Sequence, residues 1–157
     1  MQKATVYGYI DSKEDLLYET MRDGAAAFHA ALDTIPDELP TSEKIRYALR
    51  AHLRTVADQL DVATVFMREW RYLEGTRRDE IVAERRRYEE RVRALFREGR
   101  ELGELRTDLD DGAAALFTLS ALNWAYTWLD RGRATDELAD RLFALVLDGM
   151  RGYASPH

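Results

Sequence analysis

Apolar residues recur at intervals of three or four along most of the chain, and this spacing predicts amphipathic helices. No run shows the strict alternation of a half-buried strand, and the 157 residues include only three prolines. The pattern divides into about six helices. We therefore predict an all-α protein whose core is formed by packing between helices.

Three helices are predicted in the first half of the chain. The first begins at Ser12, whose side chain can cap its N-terminus, and ends before Pro36. A second helix starts near Thr41 or Ser42, and a third is capped by Asp61. The residues expected on the buried face of the first helix are Leu16, Leu17, Met21, Ala25, Phe28 and Leu32.

The longest helix is predicted from Arg77 to Leu102, with an apolar stripe that also contains Arg85 and Tyr88. Its other faces carry Glu and Arg three or four residues apart, which indicates a solvated, self-paired surface. On the preceding helix, Glu69 is interpreted as a carboxylate paired with a neighbouring arginine. The alternative is a polar anchor in a pocket.

The segment Gly112–Leu129 has no charged side chain, although one-third of the whole chain is charged. Polar residues in its middle, such as Ser120 and Asn123, argue against a membrane span and favour a helix buried on several sides. The final helix, from about residue 136 to 153, has two adjacent apolar rows. Because one subunit cannot cover all of this surface, we predict a homodimer that pairs through helices at about 111–130 and 136–153.

Composition excludes several kinds of function. The chain has no cysteine, so it offers no disulfide, thiolate nucleophile or cysteine-based zinc site, and its net charge of -6 argues against chain-wide attraction to nucleic acid. The first thirteen residues contain no apolar core of a signal peptide, which favours the cytoplasm. His29 and His52 have no partner at a metal-ligand spacing, and we interpret both as packing or surface residues. No catalytic triad, phosphate loop or Glu-x-x-His pair is present, so we expect neither an enzyme nor a cofactor.

The segment TVYGYIDSKEDLL, residues 5–17, resembles the junction between the DNA-binding and ligand-binding parts of TetR-family transcriptional regulators. In that family a Thr-(Leu/Val)-Tyr step ends the recognition helix, an aromatic pair follows, and a Ser-Lys-Glu-x-Leu-Leu run begins the fourth helix. Ile10 stands where phenylalanine is usual. The resemblance implies a linking helix, an all-helical effector domain and two dimer-forming helices.

Under this resemblance, residues 1–11 are a remnant of the DNA-recognition helix and turn, and residues 12–157 are the effector-binding and dimerisation domain. Positions that in the family reach bases or phosphates are matched by Lys3, Thr5, Tyr7, Tyr9 and Lys13. A helix-turn-helix needs its first helices to brace the recognition helix. Because these helices do not precede the segment, we expect operator DNA to be bound only by a full-length form.

The stretches Phe66–Trp70 and Leu105–Asp110, together with Asn123 and Trp124, resemble TetR-type repressors of fatty-acid and steroid degradation. Several of those repressors respond to acyl-CoA thioesters. The resemblance therefore implies a ligand-responsive regulator, expected to be a repressor, with a small and largely apolar effector for which an acyl-CoA is a candidate. If the effector is an acyl-CoA, the arginines that could meet its phosphates are Arg68, Arg71, Arg77 and Arg78.

The predicted ligand-binding residues combine large apolar walls with a few polar anchors, as ligand cavities usually do. They are Phe66, Trp70, Tyr88, Phe96, Phe117, Asn123, Trp124 and Trp128. Ordinary core packing is the alternative for each aromatic residue. An alternative for the whole chain is a regulatory protein that never contacts DNA and instead sequesters a ligand or forms heterodimers with full-length relatives.

Overall fold

Six α-helices form the protein in the computed structural model, which describes residues 2–130 and 135–151 apart from the side chains of residues 2–7, 9 and 10. Short 3-10 turns follow α3 and α5. No strand occurs in the described ranges, and the prediction of an all-α fold is confirmed. The helices are α1 (Gln2–Asp33), α2 (Thr41–Asp58), α3 (Leu60–Glu69), α4 (Gly75–Glu101), α5 (Asp111–Asn123) and α6 (Thr135–Met150).

Two helix starts differ from the prediction, and α1, with 32 residues, is longer than the 27-residue α4 that was predicted to be the longest helix. Helix α1 begins at Gln2 and continues through Ser12, which therefore does not cap it. The segment before Ser12 contains no proline, and a single internal glycine costs a helix only about 1 kcal/mol. Helix α3 begins at Leu60, so Asp61 lies in its first turn, where a negative charge is still favourable, and is not the cap.

The uncharged segment is not one helix as predicted. Helix α5 ends at Asn123, and a 3-10 turn, Trp124–Thr127, follows. The backbone N–H groups of Trp128 and Leu129 both donate to the carbonyl oxygen of Ala125, at 3.1 and 2.8 Å, and Ala125 and Leu129 are buried. This tighter turn brings Ala125 and Leu129 into the core. No helix among the described residues is long and apolar enough to cross a membrane.

Two apolar clusters form the core. The larger one joins the C-terminal half of α1 to α2, α4, α5 and α6, and the smaller one lies between α1, α3 and the start of α4. Within the predicted stripe of α1, Leu16 is an error, because 69% of its surface is exposed. Residues of the smaller cluster are Met21, Ala25, Phe66, Leu73 and Ile81.

The start of α2 is capped by a residue distant in sequence. The carboxylate of Glu104 accepts the backbone N–H groups of Thr41 and Ser42, at 3.0 and 2.8 Å. Glu104 is held there because its own N–H and that of Leu105 donate to the carbonyl oxygen of Gly99. A Cβ at Gly99 would lie 2.8 Å from Leu105 Cδ1, so glycine allows this close return of the chain.

Ion pairs join the helices across the surface. Asp140 of α6 accepts bidentate hydrogen bonds from Arg46 and Arg50 of α2, at 2.6–3.0 Å. Arg93 and Arg100 of α4 donate to Asp111 at the start of α5, at 2.6 and 2.7 Å. The predicted self-pairing of α4 is therefore only part of the pattern, since several of its arginines pair with other helices.

Candidate ligand-binding pocket

A cavity of about 230 Å³ lies where the two apolar clusters meet. Side chains from five helices, α1 to α5, line it. The lining residues are Ala25, Phe28 and His29 of α1, His52 of α2, Phe66 and Met67 of α3, Glu84, Arg85, Tyr88 and Glu89 of α4, and Leu116, Leu119, Ser120 and Asn123 of α5.

Phe28 is at the centre of the aromatic wall. Its ring centroid lies 4.8 Å from that of His52, 5.8 Å from Tyr88 and 6.5 Å from Phe66, all in tilted or edge arrangements. Such tilted contacts suit aromatic rings better than face-to-face stacking. The wall is therefore a packed surface that joins α1 to three other helices.

His52 and Tyr88 form a neutral polar pair inside this wall. His52 Nδ1 lies 2.9 Å from the Tyr88 hydroxyl, and only 2% of the His52 surface is exposed. Burial lowers the pKa of His52 to about 3 and raises the pKa of Tyr88 above its usual value. Both groups are uncharged near pH 7. His52 Nε2 is buried without a hydrogen-bond partner.

His29 is the second histidine of the cavity. Arg91 Nη1 lies 3.2 Å from His29 Nδ1 and also donates to the His29 carbonyl oxygen at 3.1 Å. Because arginine has only donors, Nδ1 accepts and the ring proton is on Nε2. Nε2 lies 3.3 Å from Glu84 Oε2 without the alignment of a hydrogen bond. Burial, and then the charge of Arg91, lower the pKa of His29 and favour its neutral form.

Arg85 places a positive charge at the cavity wall. Its guanidinium carbon lies 5.2 Å from the Trp70 ring centroid and 5.6 Å from that of Phe66. Nη1 is buried and has no hydrogen-bond partner. Burial, and then the charge of Arg71, lower the pKa of Arg85. The cation is held by aromatic faces, and no carboxylate forms an ion pair with it in the described part of the chain.

Three of the eight predicted ligand-binding residues line the cavity: Phe66, Tyr88 and Asn123. Trp70 contacts Arg85 from outside the cavity, and Phe96 is buried in the larger cluster.

The other three predicted residues lie on the surface. Phe117 and Trp124 are 67% and 62% exposed, and Trp128 is also exposed. Because α5 is apolar on nearly all sides, periodicity could not indicate which of its residues face inward. The structure thus does not bring the eight residues together in one site.

Sequence reasoning missed most of the cavity lining, including three residues with nitrogen-bearing side chains: His29, His52 and Arg85. For two of these three residues the sequence itself indicates an inward position. His52 lies between Leu49 and Val56 on the apolar face of α2, and Arg85 lies in the apolar stripe of α4. A polar residue at a buried position requires a partner, and that requirement can mark a site.

The remaining predicted residues lie elsewhere. Lys13 is exposed on α1. The side chains of Lys3, Thr5, Tyr7 and Tyr9 are outside the described part of the chain. The interpretation of Glu69 is wrong in both forms, because within the described residues it makes no ion pair with an arginine and it does not line the cavity.

The sequence also matches a known family. Residues 38–150 match the family described as "Tetracyclin repressor-like, C-terminal domain". The chain belongs to the TetR family of transcriptional regulators. This confirms the resemblance found in residues 5–17 with an independent part of the sequence. Members of the family are transcriptional regulators and, in general, are not enzymes.

Solved structures of TetR-family regulators are similar over nearly the whole chain. PfmR from Thermus thermophilus has 29% identity and a TM-score of 0.82, with 96% of this chain and 83% of that chain covered. AibR, solved in complex with isovaleryl coenzyme A and operator DNA, has 27% identity and a TM-score of 0.75 over 91% of this chain and 79% of that chain.

A regulatory protein of the family from Rhodococcus RHA1 has 22% identity and a TM-score of 0.83, with 94% of this chain and 79% of that chain covered. At that identity the similarity shows the fold alone. No curated protein sequence matches the chain.

This TetR-family chain also exposes large apolar side chains on α6 and on the α5 segment, which is α5 together with the turn that follows it up to Leu129. The two predicted apolar rows of α6 differ in burial: Phe143 and Met150 of one row are buried, whereas Leu145 of the other row is 74% exposed. Residues 152 and 153 of the predicted helix lie outside the described part of the chain. The exposed apolar residues of the α5 segment are Leu116, Phe117, Trp124 and Trp128. Patches of this kind mark surfaces that another molecule covers.

Proposed function

We propose that this chain is the ligand-sensing and dimerisation part of a TetR-family repressor that works in the cytoplasm. Residues 12–157 form the sensing unit, and residues 1–11 belong to the end of the DNA-reading head. The supporting observation is the cavity between α1 and the next four helices, which contains polar atoms without partners. A small, largely apolar ligand fits its aromatic wall.

The ligand acts through α1. Ala25, Phe28 and His29 of this helix line the cavity, while Lys3 lies near its other end, about 33 Å away at 1.5 Å per residue. A tilt of about 5° at the cavity therefore moves the far end of α1 by about 3 Å. A ligand shifts this equilibrium only if it binds one tilt more tightly than the other.

A second copy of the chain covers the exposed apolar face of α5 and α6. Phe117 of α5, with Trp124 and Trp128 just after it, is exposed, and Leu145 lies on the outer row of α6. Burial of these side chains in an isologous interface removes apolar surface from water. The dimer places two α1 helices at a separation that can match two half-sites on DNA.

An acyl-CoA thioester is one candidate effector. AibR was solved with isovaleryl coenzyme A, and 27% of the aligned residues are identical. The guanidinium carbons of Arg71 and Arg78 lie 5.8 and 5.7 Å from the Trp70 ring centroid, outside the cavity. The phosphates of a thioester would lie near these two residues, whereas the charge of a free acid would lie near Arg85.

Thermal-shift titration with hexanamide, benzamide, hexanoate, benzoate and hexanoyl-CoA tests the sensing function. Ligands that bind only the native state raise the melting temperature. At least one probe should do so in the wild type. Ser120→Phe narrows the cavity from its α5 wall and should reduce the shift, whereas Ala26→Phe changes an exposed residue of α1 outside the cavity and should not. A flat response to all five probes would contradict the proposal.

A further inference from the structure

The arginines of α4 divide into two groups. Most form ion pairs with carboxylates of α1, α4 or α5. Those that do so are Arg77, Arg87, Arg91, Arg93, Arg97 and Arg100. Within the described residues Arg78 and Arg86 have no carboxylate partner, but both are exposed to solvent. Arg85 differs because it is partly buried and lines the cavity. No carboxylate of α4, a helix that is described in full, pairs with it.

Two carboxylates, Glu84 and Glu89, also line the cavity, but neither forms an ion pair with Arg85. Glu84 lies beside His29 and pairs with Arg87. Glu89, one turn along α4, is exposed and forms neither a hydrogen bond nor an ion pair with Arg85. A guanidinium group has five N–H donors, and a buried donor without a partner is costly. Arg85 therefore has donors available to a ligand in the cavity.

On this basis we propose that Arg85 binds the carboxylate of a small apolar monocarboxylic acid, which is the effector; this inference rests on the proposed sensing function. The guanidinium can form two parallel hydrogen bonds with a carboxylate. The apolar body of the acid lies against Phe28 and Phe66. Neutral donors and acceptors on Ser120 and Asn123 border the same space.

The cavity has room for a small free acid, and its unpaired positive charge favours one over a thioester. A cavity of about 150 Å³ holds benzene, so 230 Å³ corresponds to roughly nine non-hydrogen atoms. Benzoate and hexanoate are of this size. The acyl group of a CoA thioester also fits, but it is uncharged, and its phosphates would lie outside. A thioester would leave Arg85 without a carboxylate, whereas a free acid satisfies it.

Matched acids and amides test this proposal by calorimetric titration. Benzoate and benzamide have nearly the same shape, as do hexanoate and hexanamide, but each amide is neutral and has an NH₂ donor in place of one carboxylate oxygen. The wild type should bind each acid more tightly than its amide, by roughly 10-fold to 100-fold for charge-assisted hydrogen bonds. Arg85→Met should abolish this preference while amide binding remains. Arg85→Lys keeps the charge but loses the fork geometry and should show an intermediate preference.

Arg86→Met is the matched control, since Arg86 is the next residue and is exposed away from the cavity. Thermal melting followed by circular dichroism checks that each variant is folded. If Arg85→Met does not fold, Arg85→Lys is used in its place. Equal binding of acid and amide, or a preference that survives Arg85→Met, would overturn the carboxylate assignment. Tight binding of hexanoyl-CoA alone, sensitive to Arg78→Met and not to Arg85→Met, would also overturn it. Each of these results would leave the proposed ligand-sensing function in place. If none of the probes binds, both the sensing function and the carboxylate-binding role of Arg85 are overturned.

Discussion

Acid should destabilise the protein through His52 in a way that one substitution removes. Burial lowers the pKa of His52 to about 3, whereas an unfolded histidine titrates near 6.5. Between these values the unfolded state binds a proton at this residue and the native state does not. Stability is therefore lost as the pH falls below about 6.5, at about 1.4 kcal/mol per pH unit.

The free energy that His52 contributes to stability can be calculated for a chosen pH interval. From pH 7 to about pH 4.5 the His52 contribution falls by about 2.5 kcal/mol. His52→Gln removes the titration and the hydrogen bond to Tyr88, which costs about 1 kcal/mol at pH 7. The variant should thus be less stable than the wild type at pH 7 and more stable at the lower pH.

Urea unfolding of both proteins at the two pH values gives the free energies of unfolding. Other groups titrate alike in both proteins, so the difference between the two isolates His52. If the gap between wild type and His52→Gln is the same at both pH values, His52 is not a neutral buried histidine, and the description of the cavity wall is wrong.

Three further predictions concern the fold and the assembly. Phe96→Ala should lower the free energy of unfolding by about 3–5 kcal/mol in urea titrations because the ring is fully buried, whereas Tyr72→Ala, at an exposed residue, should change it by less than about 0.5 kcal/mol. Asp110→Ala should cost about 1 kcal/mol by the same assay, since the Asp110 carboxylate accepts the N–H of Ala113 at 2.9 Å and caps α5. Trp124→Asp should convert a dimer to a monomer in analytical ultracentrifugation without lowering the helix content measured by circular dichroism; a wild-type monomer would contradict the proposed interface.

The helical class and most helix positions could be predicted because amphipathic periodicity is a local property. The start of α2 near Thr41 or Ser42 was predicted, but the residue that caps it is Glu104, a contact that no local pattern reveals. The end of α5 was missed for a related reason. A segment that is apolar on every side has no periodic face, and tertiary packing of Ala125 and Leu129 decides where the helix stops.

The cavity was only partly predictable. Phe66 and Tyr88 were identified because aromatic residues on helix faces are frequent in pockets, yet the same reasoning selected Phe117, which is exposed. The polar residues His52 and Arg85 were better indicators, because each occupies a position that periodicity marks as inward. Their burial conflicts with their polarity, and conflicts of this kind tend to occur at functional sites.

The central claim is that a ligand in the cavity repositions α1, and a distance between the two α1 helices of a dimer tests it most directly. The chain has no cysteine, so Asp11→Cys provides a single exposed site for a spin label. Pulsed electron paramagnetic resonance then gives the label-to-label distance with and without a saturating ligand. Asp11 lies about 21 Å along α1 from Ala25, so a tilt of about 5° moves each label by about 2 Å. We therefore predict that the label-to-label distance shifts by about 2–4 Å with the tightest-binding probe. An unchanged distance distribution, with calorimetry showing the ligand bound, would contradict the account.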